Sequence, residues 1–335
     1  MFLQFVARRL MLMLLVLFGI TLITFVVSHV VPADPVAAYV GSQAPQGVVE
    51  KVRHEYGLDQ PLPEQYLVYL GGLLRGDLGT SIHDDRPVAT DIATYFPATF
   101  ELAMAAMVIA IVLGLPIGVI VATRKDKLVD HMARALSLTG VSLPVFFLAL
   151  LLLAVFYVKL GVLPGPGELS PYTQPPPRVT GMMLVDTLLA GDLPAFQDAF
   201  SHLVLPAFVL GFATTGIIVR MTRSSMIEAL RQDFVRTARA KGVGRYRVVV
   251  VHALRNAMIP TVTVIGLAFG SLLSGAVLTE TIFSWPGLGR YATESVVTLD
   301  IPAIMGVTIV AAFTYSVVNL VVDVAYALLD PRITY

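Results

Sequence analysis

Residues 220–255 read RMTRSSMIEALRQDFVRTARAKGVGRYRVVVVHALR, with nine Lys or Arg (positions 220, 223, 231, 236, 239, 241, 245, 247 and 255) against two acids, Glu228 and Asp233. Long apolar runs lie on both sides of this basic interlude. Lys and Arg accumulate in short loops on the cytoplasmic side of membrane proteins, so the stretch predicts a cytoplasmic loop joining two spans. The whole chain agrees with a membrane setting. It has 335 residues, 56% hydrophobic and 14% charged, with a mean hydropathy of +0.78, too apolar for an ordinary soluble domain. The formal net charge is zero because cations are segregated into a few loops. The chain has no cysteine, which excludes a disulfide, a thiolate nucleophile and a Cys-ligated metal.

Working outward from the loop gives six spans. Arg8 and Arg9 precede an uncharged run from Leu10 to Val31, about 22 residues, enough to cross roughly 30 Å of hydrocarbon and too long for a cleaved signal peptide. Further runs lie at Thr99–Ala122, Met132–Val158, Ile259–Thr279 and Ile301–Val322. A shorter run, Leu203–Val219, is expected to continue past Arg220 as a helix leaving the membrane. With the N-terminus inside, Arg124, Lys125, Lys127, the 220–255 loop and Arg332 all fall inside, so both termini are predicted to be cytoplasmic. Outside fall a polar segment, 32–97, a proline-rich loop from Leu163 to Pro194 and a short piece from Glu280 to Asp300. Long loops without regular structure tend to be functional, so the proline-rich loop is expected to face a partner. The chain thereby divides into 1–31, the cytoplasmic N-terminus and first span; 32–97, an extracytoplasmic segment; and 98–335, a five-helix core carrying the loop 220–258.

Glycines four apart, Gly114/Gly118 and Gly266/Gly270, predict close helix packing in lipid, and Pro116, Pro144 and Pro206 predict kinks. Glu101 and Glu280 fall near the outer span ends and Asp323 near an inner one, positions from which a carboxylate is expected to reach water or headgroups. The chain has no GxxxxGK[ST], GxSxG or HExxH, and its six histidines are scattered. Neither catalysis, nor a metal, nor nucleic acid is indicated.

The basic loop carries more structure than its charge. Ser225-Met-Ile-Glu228 fits a capping box that would start a helix. Met226, Leu230, Phe234 and Ala238 then recur every four residues as an apolar stripe, and Gly242 and Gly244 follow where a helix would stop. A second basic, apolar stretch from Arg245 leads to Pro260, giving a helix–turn–helix outside the membrane. Its residues alone leave three roles open: lying on anionic lipid, bracing the loop, or docking into a groove on a cytoplasmic partner.

The segment Thr237-Ala-Arg-Ala-Lys-Gly242 resembles the signature loop of bacterial ATP-binding-cassette importer permeases of the dipeptide and oligopeptide family. The strings RMTRSSMIEALRQDFVRTARAKG, VVHALRNAMIPTVTVIG and LTETIFSWPGLGR, with FVARRL and GLDQPLPEQYLVYLGGLLRGDLG, are similar to the first permease subunit of its dipeptide importers across almost the whole chain. The broader importer pattern has Glu-Ala-Ala where this chain has Arg236-Thr237-Ala238. Gly242 and Leu254 match it, while His252 and Arg255 replace its Ile and Pro. The resemblance implies an all-α fold with six transmembrane helices in the type I importer permease architecture, a multi-pass protein of the bacterial inner membrane. It implies half of a translocation pathway for dipeptides or short oligopeptides worked by alternating access, with no catalysis in this chain. It also implies a homologous second permease, two cytoplasmic ATPase subunits that carry ATP and Mg, and an extracytoplasmic peptide-binding protein. The 220–258 loop would dock on the ATPase through Met226, Leu230, Phe234, Arg236, Thr237, Ala238, Arg239, Ala240, Lys241, Gly242 and Leu254. Nickel, haem or longer peptides are alternative cargoes within the family. An ion-coupled secondary transporter is the alternative outside it.

Overall fold

A computed structural model describes residues 2–30 and 59–329, with isolated positions 45, 47 and 50 between them. Most of the first part of the expected extracytoplasmic segment, His54 included, and the C-terminal 330–335 with Arg332 lie outside the described residues. The fold is helical, and no strand forms among the described residues; one antiparallel bridge joins Thr80 and Pro87.

Helix α1 (Phe2–Val30) contains the first span. Near its start Arg9 pairs with Asp323 at 3.1 Å, and further on Thr21 and Tyr66 share a hydrogen bond of 2.9 Å. Tyr66 belongs to α2 (Leu62–Leu73), whose Tyr69 stacks on Phe25. Many apolar side chains of α1, among them Leu14, Leu15 and Ile23, are exposed, as a lipid-facing helix requires.

Helix α3 (Val88–Thr123) starts at Val88, not at Thr99 as the apolar run suggested. Asp91 and Pro97 gave the added turns a soluble look. Tertiary burial overrides them: Val88 and Ile92 pack on Leu288, Tyr291, Ala303 and Val307, and buried Asp91 accepts from Tyr291 Oη and pairs with Arg86 at 3.4 Å. The third span is not one helix. It is α4 (Leu128–Ser142) and α5 (Val145–Leu152), the latter continuing as a wider-wound segment Leu153–Lys159, bent by 104°. Leu143, at ψ 127°, takes the extended backbone that a following proline imposes, so Pro144 breaks the span where a kink was expected.

After α6 (Met183–Leu189), α7 runs unbroken from Leu193 to Arg231 through Pro206, about 58 Å at 1.5 Å per residue, so it extends well beyond a bilayer core. Asp192 caps it, accepting from the Ala195 amide at 2.9 Å. Next come α8 (Asp233–Ala240) and the long α9 (Arg245–Gly275), which includes a wider-wound turn at Val248–Ala253. Two short helices, α10 (Val277–Ile282) and α11 (Leu288–Val297), precede α12 (Ile301–Leu329). Helices α1, α3, α7, α9 and α12 are long and apolar enough to span, and the bent pair makes a sixth span if counted as one.

Parallel α3 and α7 form the core, with the glycine pair at their seam. A Cβ on Gly114 would lie 2.8 Å from Ile218 Cγ2, and one on Gly118 2.6 Å from Thr222 Cβ. The second pair plays the same part between antiparallel α9 and α12, where Gly266 and Gly270 face Val322 and Tyr315. Both pairs allow the close backbone approach expected of them.

One turn of α3, Ala98–Glu101, ties down the end opposite the basic loop. Trp285 Nε1 donates to the Ala98 carbonyl at 2.9 Å, Thr99 Oγ1 donates to Glu280 at 2.7 Å, and Glu101 accepts from the amides of Met183 and Leu184 at 2.9 and 2.8 Å. Glu280 also accepts from the Gly289 and Arg290 amides. Glu101 and Glu280 are therefore buried and do not reach water or headgroups as their positions along the chain suggested. Each neutralises the exposed N–H groups at the start of a short helix, α6 or α11, a favourable place for a carboxylate. Asp323 reaches Arg9 instead.

Candidate docking surface at the basic loop

The loop is built from the ends of two long helices. Helix α7 carries straight through Ser225, so the expected capping box does not form: the hydroxyl is buried mid-helix, where the amides it would have capped already have carbonyl partners one turn back. The break falls instead at Gln232, whose extended ψ of 153° ends α7 and starts α8.

This break resets the helical phase and splits the predicted stripe. Met226 is fully buried with Ala122, Ala229, Ala253 and Ala257, and Leu230 and Leu254 pack beside it. Past Gln232 the residue that turns inward is Val235, fully buried, with Ala238 half-buried one turn on. Phe234 stands out at 38% exposure, so it is not part of one continuous inner stripe. Thr237, Arg239, Ala240, Lys241 and Gly242 are exposed, as is Arg236, which pairs with Asp233 at 3.2 Å.

The turn has the geometry its glycine suggested. Gly242 has φ +77°, its amide donates to the Arg239 carbonyl at 2.9 Å, and the Val243 amide reaches back to Ala238 at 3.1 Å. These are the two bonds of a Schellman ending, which places a left-handed residue after the helix. No atom lies within 4 Å of a Cβ built there, so the demand for glycine is conformational.

Beyond the turn Tyr246 is 76% exposed, an aromatic that the sequence pattern did not single out. Its signal was its place in the first turn after Gly244, where a side chain has no helix to pack on. Phe234 and Tyr246 are thus exposed on the same loop as Arg239, Lys241, Arg245 and Arg247, none of which makes an ion pair among the described residues. Arg223 belongs to the frame: its Nε and Nη2 each lie 2.7 Å from a carboxylate oxygen of buried Asp130, locking the start of α4 to α7. At the α7–α8 junction a notch of about 380 Å³ opens beside Glu228, Arg231 and Asp233. Exposed aromatics and cations that make no ion pair among the described residues are features common at protein interfaces.

Residues 114–335 match the family described as binding-protein-dependent transport system inner membrane component, and 2–103 match the N-terminal part of such components. The chain is 46% identical over 321 residues to the probable D,D-dipeptide transport system permease protein of Escherichia coli, covering 96% of this chain and 94% of that one. It is 47% identical over 335 residues to the di/tripeptide transport system permease protein of Pseudomonas aeruginosa, covering 99% of both. The glutathione transport system permease protein of Escherichia coli is 38% identical over 333 residues, again 99% of both. With six apolar spans, counting the bent pair as one, and matches over nearly its whole length, the chain belongs to the binding-protein-dependent transport system inner membrane component family, a multi-pass permease of the type I architecture.

Proposed function

We propose that this chain is one of two homologous permease subunits of an ATP-driven importer, forming half of a pathway for dipeptides or short oligopeptides. Two ATPase subunits bind ATP and Mg on the side of the basic loop, and a peptide-binding protein delivers cargo at the opposite end; the chain itself carries out no catalysis. The observation that supports this most is the loop itself. Phe234, Tyr246 and the unpaired cations sit on α8 and the start of α9, in direct continuation of spans α7 and α9. A partner pulling on that surface moves the spans with it, which is what alternating access driven by a separate motor needs. The peptide cargo rests on the names of the relatives, and the glutathione permease among them marks longer or modified peptides as the neighbouring possibility.

Residues 220–258 and both termini are cytoplasmic in this proposal, as the basic residues gathered at one end predict. Reporter domains inserted after Pro176 and after Gly242 then report opposite sides of the membrane, and same-side signals overturn the topology. Proteoliposomes holding both permeases and both ATPases, with the binding protein outside, take up a dipeptide only when ATP is inside. Uptake by this chain alone on an ion gradient overturns the assignment.

A further inference from the structure

At the end opposite the basic loop, a cavity of about 190 Å³ lies between the outer turns of α3 and the proline-rich loop. Tyr95, Pro175, Pro176 and Pro286 line it with apolar surface, and Glu168 and Arg178 line it with charge. The charges do not balance. Glu168 and Asp186 line the cavity with a single cation, Arg178, and Glu101 lies near enough to act on Glu168.

Two of the three carboxylates are satisfied by backbone: Glu101 by Met183 and Leu184, and Asp186 by Val179, Thr180 and Gly181. Glu168 differs, because its Oε1 is buried and has no hydrogen-bond partner among the described residues. Arg178 does not complete it, since Nη2 is committed to the Thr94 carbonyl at 2.5 Å and no ion pair joins the two residues among those described. Burial, and then the neighbouring Glu101, push the Glu168 carboxyl up to about 8 against the pull of Arg178. An arriving cation would reverse that shift.

A buried acceptor without a donor is costly, so a ligand that suits this cavity brings N–H groups and positive charge. Among the described residues no group of three or more His, Asp or Glu is placed to hold a metal ion, and apolar walls suit an organic cation better. The cavity is smaller than the roughly 300–1,000 Å³ of a site that swallows a whole drug-sized ligand, so it fits the end of a peptide. We propose that this cavity receives the free amino terminus of a peptide, with the ammonium donating to Glu168 Oε1 and the first side chain resting on Tyr95 and the prolines. The proposal rests on the peptide-import function.

The test exploits the absence of cysteine, which makes Pro175→Cys the only thiol in this chain. In the assembled importer, the chain's mass shift reports labelling by a cationic and by an anionic methanethiosulfonate of similar size. The cationic reagent is expected to react about tenfold faster at pH 9, the scale of one partly screened charge pair, with a smaller ratio at pH 7 where Glu168 is mostly protonated. Adding Glu168→Gln removes the pH dependence of the preference and lowers the ratio at pH 9, while Asp186 stays in place. At pH 8, where the dialanine amine and the Glu168 carboxyl are each partly ionised, dialanine slows the cationic reagent and N-acetyl-dialanine does not. Equal rates for the two reagents at pH 9, a ratio and pH dependence unchanged by Glu168→Gln, or equal protection by the acetylated peptide overturns the proposal. Full protection by the peptide-free binding protein also overturns it, giving the cavity to a cationic side chain of that partner. Labelling needs no transport, so the two ideas fail separately: no dipeptide uptake by the wild-type importer defeats the import function, while intact uptake with a flat labelling ratio defeats only this site.

Discussion

Replacing Gly242 with valine tests the proposed coupling role of the basic loop at the point where its geometry is most demanding. The residue sits at φ +77°, and the Schellman bonds from Gly242 and Val243 back to Arg239 and Ala238 depend on that conformation. Open space surrounds the position, so valine meets no clash and the cost is that of a β-branched residue in the left-handed region, about 1–3 kcal/mol. At 2 kcal/mol the native turn loses roughly 30-fold in population relative to an unwound one. The turn then no longer fixes Phe234 on α8 relative to Tyr246 at the start of α9, while the spans, anchored by Arg223–Asp130 and the α3–α7 seam, stay folded. Membrane insertion and assay of ATP hydrolysis stimulated by binding protein and peptide separate these effects. Gly242→Val is expected to insert normally and to lose more than about 90% of the stimulated hydrolysis and uptake. Gly242→Asn, which tolerates the left-handed conformation, is expected to keep most of both. Unchanged uptake in the valine variant, or equal failure of both, refutes the argument.

Tyr246→Ala and Phe234→Ala should each weaken binding of the ATPase subunits by about 1–3 kcal/mol, measured by co-purification at graded ATPase concentration, without changing the melting temperature of the permease. Neutralising Arg239, Lys241, Arg245 and Arg247 together should lower the association rate and flatten its salt dependence, read by stopped-flow between low and physiological ionic strength. Gly118→Val places a Cβ 2.6 Å from Thr222 Cβ and should force α3 from α7 at a cost of about 1–3 kcal/mol, seen as a lower melting temperature in detergent. The raised Glu168 carboxyl gives a pH signature. Its protonated form is favoured by the fold, so its contribution to stability is full below the ordinary value of 4.5, declines as pH rises, and is gone above about 8. Melting temperature should therefore fall across that window, and Glu168→Gln should flatten part of the fall.

Much of the architecture was legible because lipid imposes rules that act on local sequence. An apolar run long enough to cross the hydrocarbon must satisfy its backbone within itself, which makes it a helix, and cations gather at one end. The glycine pairs at 114/118 and 266/270 and the turn at Gly242 follow equally local reasoning: a missing Cβ permits close approach or positive φ. Periodicity failed where two helices meet. A spacing of four from Met226 to Ala238 assumes one phase, and Gln232 interrupts it, sending Val235 inward and Phe234 outward. Ser225–Glu228 has the letters of a capping box but no helix start, because the span above it does not end there.

What the sequence determined by itself is the membrane class, the apolar runs, the basic end and the glycine that turns the loop, since each depends on neighbours a few residues away. Only the tertiary structure decided how far α3 reaches, that the third span breaks by 104°, and that Glu101 and Glu280 are buried caps and not headgroup contacts. These outcomes turn on contacts between residues distant along the chain, such as Glu280 with Thr99 and Glu101 with Met183 and Leu184. The same is true of the proposed docking surface. Its charge is written in residues 220–255, but which side chains stand free on it depends on what Asp130, Ala122 and Ala257 cover from other helices.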